Sequence, residues 1–325
     1  DAAGGTPVVR YDADGRGTIE QVAEDLGSVA YSGAGPGGGE AQAIGLGRDS
    51  VVLLIGGARG ITARTAVALA ASGCRIELAG RTPWPGDPVD AELAGFADAQ
   101  ALRSALAARG GTIADIERRV HTVLAQREIG RTLDEIRAVG GEAGYRCLDA
   151  RDGTAVRQVV KDIHARYGRL DGVVHAAGVI DDKLMAEKDE RSFRAVFGTK
   201  VDGARALLDA LVQLNVRPGF VAFFGSISAV LGNRGQTDYA AANDALESLG
   251  ASWAERTGNR ALTVHWGPWA PSDGHNGMVS GELAREYGRR EIGLIDPAEG
   301  TAALLRELAY GPRDLRSVLY TASLW

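Results

Sequence analysis

The chain has little of what would tie it together covalently or fix it in a membrane. Two cysteines, Cys74 and Cys147, stand in 325 residues. That is too few for a disulfide framework. Both fall in stretches that read as strands and are expected to be small buried hydrophobes of a reducing compartment. No apolar run reaches the roughly 18 residues a membrane span needs. The five histidines show no H-E-x-x-H or similar ligand spacing, so no metal centre is expected. Basic residues are not in excess: Lys and Arg number 36 against 42 Asp and Glu, for a net charge of -6. With a pI near 5.5, a broad nucleic-acid footprint is not expected. The chain opens at Asp1 with no signal-peptide pattern, and the expectation is a segment excised from a longer cytoplasmic polypeptide rather than a processed start. Glycine, by contrast, is abundant. Its 45 residues cluster in turn-like groups that suit frequent switches from strand to helix, in a chain long enough for one large α/β domain or two small ones.

The most informative stretch runs from Gly219 to Asn243. Phe220 to Phe224 has the length and bulk of a buried strand. It breaks at Gly225 and delivers Ser226 and Ser228 to the strand's carboxyl end. A glycine-rich loop, Gly232 to Gly235, leads into a helix carrying Tyr239 and, one turn on, Asn243 on the same face. A serine at a strand end and a tyrosine on the next helix can share one crevice, where open parallel sheets bind ligands.

Val51 to Ile55 is a continuous apolar run and reads as a central parallel strand. It ends in Gly56-Gly57-Ala58-Arg59-Gly60-Ile61-Thr62, and a helix follows from about Ala63 to Ser72. Glycines between a buried strand and a helix let the backbone approach a pyrophosphate lying on the helix amino terminus. The next strand, Arg75 to Ala79, is followed by Arg81, where an NAD-specific site would carry an acid for the ribose hydroxyls. Arg59 and Arg81 instead suit a 2′-phosphate, so the expected cofactor is NADPH. Glu77, inside that strand, has no role assigned by the sequence. Further strands are expected at Glu142 to Leu148, Leu170 to His175, Ala261 to His265 and Ser317 to Thr321. Asp152 and Asp296 read as helix caps, Phe193 to Leu211 as a long helix carrying Lys200, and His175 as a satisfied core residue. The fold class is therefore α/β, a doubly wound parallel sheet of about seven strands with a helical insertion after the second.

Three segments stand apart from this alternation. Residues 1–50 are polar and glycine-rich, with a possible strand at Val8 to Tyr11 and a short helix at Thr18 to Leu26. Ser32 to Glu40 reads as a flexible linker, and the whole as an N-terminal linker and partial docking segment. Residues 51–325 form the main domain. Within it, 83–130 is a helical insertion with a helix at Ala97 to Arg109 and another beginning at Thr112, where Asp115 completes a capping box. The apolar stripes Ile113, Ile116, Val120, Val123 and Ile129, Leu133, Ile136 read as an amphipathic helix packed on the sheet, its last part the ordinary crossover helix. Residues 270–293 lack strong periodicity and are expected to form a substrate lid.

Taken together, GGARGIT, HAAGVIDD, Lys200 in GTKVDG, Ser226, YAAAN and WGPW resemble the short-chain dehydrogenase/reductases. More narrowly, they resemble the ketoreductase domains of polyketide and related fatty-acid synthases, from Val51 to the end. The string IERRVHTVLAQREIGRTLDEIRAVG resembles the insertion in ketoreductases of the polyunsaturated-fatty-acid type. Ile55 replaces a Thr usual in the family's glycine turn, and Thr62 a common third Gly. Lys200 on the earlier helix and Asn243 after the tyrosine are exchanged relative to most short-chain reductases, as in the synthase domains.

The resemblance implies a Rossmann-type fold and a set of roles. Ser226, Tyr239, Lys200 and Asn243 would be catalytic. A nearby ammonium would bring the phenol, ordinarily near pKa 10, toward working pH, and Asn243 would hold Lys200 or a water. Gly56, Gly57, Arg59, Gly60, Ile61, Arg81, Asp149, Ala150, Ala176, Ala177, Gly178, Lys200, Tyr239, Pro268 and Trp269 would bind the cofactor, with Asp149 meeting the adenine. Asp181, Asp182, Leu231 and Met278 would steer substrate and stereochemistry. Ile180-Asp181-Asp182 in place of an LDD motif, with Leu231 where the opposite class has tryptophan, implies a D-hydroxyacyl product. The implied substrate is a β-ketoacyl chain on an acyl carrier protein, with other synthase domains as neighbours. Arg285 and Arg289 read first as a solvated face and second as a basic docking patch. A free-standing reductase of a small ketone and a non-catalytic scaffold domain are the alternatives; the linker and the Lys/Asn exchange argue against the one, the retained catalytic set against the other.

Overall fold

The computed structural model describes residues 9–12, 15–18, 38–84, 93, 95, 96, 98–271, 285, 287–289 and 292–322. A hairpin comes first: β1 (Val9–Asp12) pairs antiparallel with β2 (Gly15–Thr18). Thr18 thus belongs to a strand, and the rest of the helix expected up to Leu26 lies outside the described residues. Helix α1 (Gly38–Ala43) follows. Its Glu40 and Ala41 are buried, and Glu40 Oε1 lies 3.6 Å from Arg306 Nε. The end of the expected linker, Gly38 to Glu40, is therefore a docked helical turn, because an apolar residue and a paired carboxylate hold it down.

Seven apolar runs become seven parallel strands: β3 (Val51–Ile55), β4 (Arg75–Gly80), β5 (Glu142–Cys147), β6 (Gly172–His175), β7 (Phe220–Ser226), β8 (Ala261–Trp266) and β9 (Ser317–Tyr320). They form one sheet in the order β5-β4-β3-β6-β7-β8-β9, a Rossmann-like arrangement. The order reverses between β3 and β6, which opens a crevice at the carboxyl ends of the strands. Every residue of β3 and β8 is buried, as a parallel strand covered on both faces requires. Period-two alternation divides β3 between two cores. Val52 and Leu54 face a cluster with Leu69, Ile129, Leu133, Ile136 and Leu304. Val51, Leu53 and Ile55 face another with Val160, Ile163, Leu207, Leu246 and Trp253.

The covering helices are α2 (Gly60–Ala70), α3 (Ala99–Ala108), α4 (Ile113–Ala138), α5 (Gly153–Tyr167), α6 (Glu190–Gln213), the short α7 (Ser228–Leu231), α8 (Thr237–Thr257) and α9 (Pro297–Tyr310). The expected caps form: Asp152 accepts from Thr154 and Ala155, Asp296 from Ala298 and Glu299, and Thr112 from Asp115. Helix α2 starts three residues earlier than the sequence suggests, which puts Gly60 and Ile61 in its first turn. Helix α4 runs unbroken for 26 residues, so insertion and crossover are one rod. Its outer half shares a separate small core of Leu93, Leu102, Val120 and Val123 with α3.

The edge strand β5 is half-exposed, and Cys147 at its end is exposed. Its expected burial fails because β5 is the edge strand of the sheet; Cys74, buried, lies just before β4. Glu77 gains an account: it is buried and accepts from Arg146 Nε at 3.0 Å and Tyr167 Oη at 2.7 Å. None of the helices among the described residues is long and apolar enough to cross a membrane.

Candidate active site

At the crevice lies a cavity of about 1680 Å³ lined by residues of the glycine turn, the segment after β6, β7, α7, the start of α8 and the segment after β8. This is large for a single small-molecule pocket, which typically spans about 300–1,000 Å³. The turn beneath it needs glycine. Gly56 has φ +88°, and a Cβ there would stand 2.7 Å from Ala177 N. At Gly178 a Cβ would stand 3.2 Å from Lys200 Cε, so the missing side chain is what lets the lysine pass. Helix α2 starts without a side-chain cap from Arg59; the Gly60 N–H donates instead to Glu128 Oε1 at 3.0 Å. This glycine cradle, close to a helix amino terminus at a sheet switch point, fits the pyrophosphate of a dinucleotide.

Tyr239, Ser226 and Lys200 all line the cavity. Tyr239 is buried in the first turn of α8, and burial pushes its phenol up to about 12; the nearby Asn243 and Ser226 side chains oppose the rise, while the Asp182 carboxylate adds to it. Lys200 comes from α6. Its Nζ donates to Phe224 O at 2.7 Å and stands 5.5 Å from the centre of the Tyr239 ring. Burial pushes its ammonium down to about 7. The expectation that the phenol is brought down toward working pH is not met, since its net shift is upward. Desolvation dominates both groups, and the ammonium is held on a strand carbonyl. Asn243 departs too. Its Nδ2 donates to Tyr239 O at 2.7 Å, back along its own helix, and its Oδ1 is buried without a partner. His175 is buried, with Nε2 3.0 Å from Lys200 O and Nδ1 unpartnered; burial, then the neighbouring Lys200, pushes it down to about 4.

The other expected residues divide between rim and packing. Gly56, Arg59, Gly60, Ile61, Ala176, Gly178, Asp182, Leu231, Pro268 and Trp269 line the cavity. Trp269 is almost wholly buried, its ring tight over Gly300 of α9. Gly57 and Ala150 are buried and Ala177 is half-buried, and none of the three lines the cavity. Arg81 is exposed and close enough to Asp149 to help hold its carboxyl below the ordinary range, although Arg151 is the main cause. Asp149 is accordingly engaged by Arg151, whose Nη2 stands 2.6 Å from Oδ2. Asp181 lies just behind the wall and accepts from Lys183 Nζ at 2.9 Å and Ser192 Oγ at 2.7 Å. Met278 and most of 270–293 lie outside the described residues. Arg285 and Arg289 are helical and exposed.

Four residues that the sequence reading passes over stand here. Glu128 and Thr132 of α4 hold the glycine turn, Thr132 Oγ1 donating to Ala58 O at 3.1 Å. Polar residues at i and i+4 beside the apolar stripe Ile129, Leu133, Ile136 are the signal that could have found them. Lys188 and Asp238 form a buried ion pair at 2.7 Å. An aspartate directly before Tyr239, in the first turn of its helix, is the trace it leaves in the sequence.

The model of the KR domain matches residues 50–271. One component of the polyunsaturated fatty acid synthase of Thraustochytrium sp. is 34% identical over 278 residues, covering 81% of this chain and 10% of that component. The chain thus spans about one tenth of that relative. Among solved structures, the ketoreductase from the first module of phoslactomycin biosynthesis in Streptomyces sp. is 26% identical, with a TM-score of 0.64 over 85% of this chain and 53% of that one. A short-chain dehydrogenase from Burkholderia cenocepacia, solved with NADP, shares the fold at 21% identity and a TM-score of 0.60, over 84% of this chain and 96% of that one.

Proposed function

This chain belongs to the KR domain family, the ketoreductases of polyketide and polyunsaturated-fatty-acid synthases within the short-chain dehydrogenase/reductases; from that premise we propose that it reduces a β-ketoacyl thioester, carried on an acyl carrier protein, to the D-β-hydroxyacyl thioester with NADPH. The observation that carries this is the convergence of Tyr239, Ser226 and Lys200 on one cavity at the sheet's switch point. We further take residues 51–325 as the reductase unit of a cytoplasmic synthase, 83–130 as its insertion, 270–293 as its lid and 1–50 as an N-terminal linker and partial docking segment.

NADPH, when bound, supplies the hydride that adds to the ketone carbon. The chain's own residues do the rest. The first turn of α2 and the glycine turn hold the pyrophosphate. Arg59 and Arg81 would hold the 2′-phosphate with charge-assisted bonds, and Asp149 would meet the adenine. Ser226 donates a hydrogen bond to the ketone oxygen and fixes it beside Tyr239. A phenol pushed up to about 12 is fully protonated at neutral pH, as a proton donor must be. Tyr239 gives that proton to the oxygen as negative charge develops there. The Lys200 ammonium, anchored on Phe224 O, stabilises the phenolate left behind. Asn243 helps hold Lys200 or a water that returns the proton. Asp181, Asp182, Leu231 and Met278 decide which face of the ketone is presented.

The test is NADPH oxidation with a β-ketoacyl thioester, both carrier-bound and as a small thioester, followed by chiral analysis of the alcohol. Turnover should fall about 10²- to 10⁴-fold in Tyr239→Phe with dinucleotide binding retained. Absence of turnover in the intact protein with NADPH bound would refute the reading, and a mainly L product would refute its stereochemical part.

A further inference from the structure

The cavity's wall and its proton donor come from different parts of the chain. Gly178, Ile180, Asp182, Lys183, Leu184 and Glu187 form one stretch of wall; Ser226 and Tyr239 come from others. The wall segment has little core of its own. Ile180, Leu184 and Met185 are exposed, Met185 to 73%, and its regular structure is one 3₁₀ turn, Met185–Glu187. Burial alone does not hold it in place.

Polar bonds do. Lys183 N donates to Gly235 O at 3.1 Å, and Gln236 Nε2 to Asp182 Oδ2 at 2.9 Å. Both of these lie at or near the surface. The third link is different: Lys188 and Asp238 have side chains only 5% and 1% exposed. Lys188 Nζ donates to Asp238 Oδ2 at 2.7 Å and to Asp181 O at 2.8 Å. The other carboxylate oxygen, Asp238 Oδ1, accepts from Tyr239 N at 2.9 Å. One ammonium thus joins the backbone of the wall to the side chain that grips the backbone of the proton donor. A desolvated pair that loses one partner leaves an uncompensated buried charge, so the geometry is strongly held.

We propose that Lys188 and Asp238 are positioning residues that clamp the wall 180–187 to the start of α8, and so fix the orientation in which a prochiral ketone meets Tyr239. A ketone has two faces, and its proton is delivered from one fixed point. The wall then decides which substituent lies on which side, and a wall that drifts admits both. The consequence for selectivity rests on the proposed reductase function; the clamp itself does not.

The experiment has two arms. In the first, amide hydrogen exchange of 180–187 is compared among wild type, Lys188→Met, Asp238→Asn and Lys188→Arg. The clamp requires exchange about tenfold faster or more in the first two, with the arginine variant near wild type. In the second, the enantiomer ratio of the alcohol is measured together with thermal midpoint and dinucleotide affinity. Both single variants should move the ratio at least about fivefold toward racemic, with dinucleotide affinity held. The double variant Lys188→Met/Asp238→Asn, which buries no unpaired charge, should recover the midpoint while its ratio stays eroded. A merely structural pair gives the opposite: the ratio returns with stability. That result, or unchanged exchange in the single variants, overturns the proposal. If wild type reduces no β-ketoacyl thioester, the functional reading fails and the exchange arm still decides the clamp. If the single variants do not fold, the double variant carries both arms.

Discussion

Two charges are buried equally deep in this molecule and handled in opposite ways. Glu77 in β4 and Lys200 in α6 are each 3% exposed. Glu77 sits toward the edge of the sheet against the Arg146 guanidinium and the Tyr167 hydroxyl. Lys200 sits at the switch point with a neutral carbonyl, Phe224 O, as its hydrogen-bond acceptor. Burial pushes its ammonium down to about 7, and among the described residues no carboxylate lies within ion-pair distance to offset it. A fully partnered buried charge serves the fold. A buried charge kept short of partners is retained against the interest of the fold, and the place where that happens is the place to look for chemistry.

The sharpest way to break this comparison is to remove each charge and ask what is lost. Lys200→Met should abolish turnover, by about 10³-fold or more, while leaving the urea midpoint unchanged or raised, because an ill-compensated ammonium leaves the interior. Glu77→Ala should do the reverse. It takes the carboxylate from the part-exposed Arg146 and from the Tyr167 hydroxyl and costs about 1–3 kcal/mol of stability, with turnover per folded molecule kept. If both variants lost stability alike, the distinction would fail.

A smaller effect sharpens it. Because the folded Lys200 titrates near 7 and an unfolded lysine near 10.4, the unfolded chain holds the extra proton between those values. Stability should therefore rise with pH across that window, by at most about 1.4 kcal/mol per unit. The slope difference between wild type and Lys200→Met, read from urea midpoints from pH 7 to 10, isolates it. Activity that needs the ammonium should fall over the same range.

The smallest effect concerns charges left in water. Arg59 is half-buried and Arg81 exposed, so neither pays the desolvation that shapes Lys200. Replacing either with Ala should lower the NADPH-over-NADH preference in kcat/KM by about tenfold, the worth of one charge-assisted bond, with no change in the thermal midpoint. Equal losses for both cofactors would remove the 2′-phosphate assignment.

The sheet was legible in the sequence because its signal is local. Apolar runs such as Val51–Ile55 and Phe220–Phe224, punctuated by glycine, state their own burial. The caps at Asp152 and Asp296 were legible for the same reason. Exposure was not: nothing around Cys147 says that β5 ends up at an edge, since edge position is a property of the whole sheet. Nor could spacing show that burial would outweigh the attraction between Lys200 and Tyr239, because desolvation depends on how many unrelated segments close over a group. The Lys188–Asp238 pair joins residues 50 apart and became visible only when the wall was seen lying across α8.

Helix α4 carries one more implication. At about 1.5 Å of rise per residue, its 26 residues make a lever some 39 Å long. Thr132 and Glu128 are fastened to Ala58 and Gly60, and the far end is seated in the separate core with α3. Grafting or trimming the outlying knob, as one might to shrink the protein, thus tugs on the phosphate turn through a rigid arm. The appendage and the nucleotide pocket are mechanically one part, and a chimera that exchanges the first inherits a change in the second.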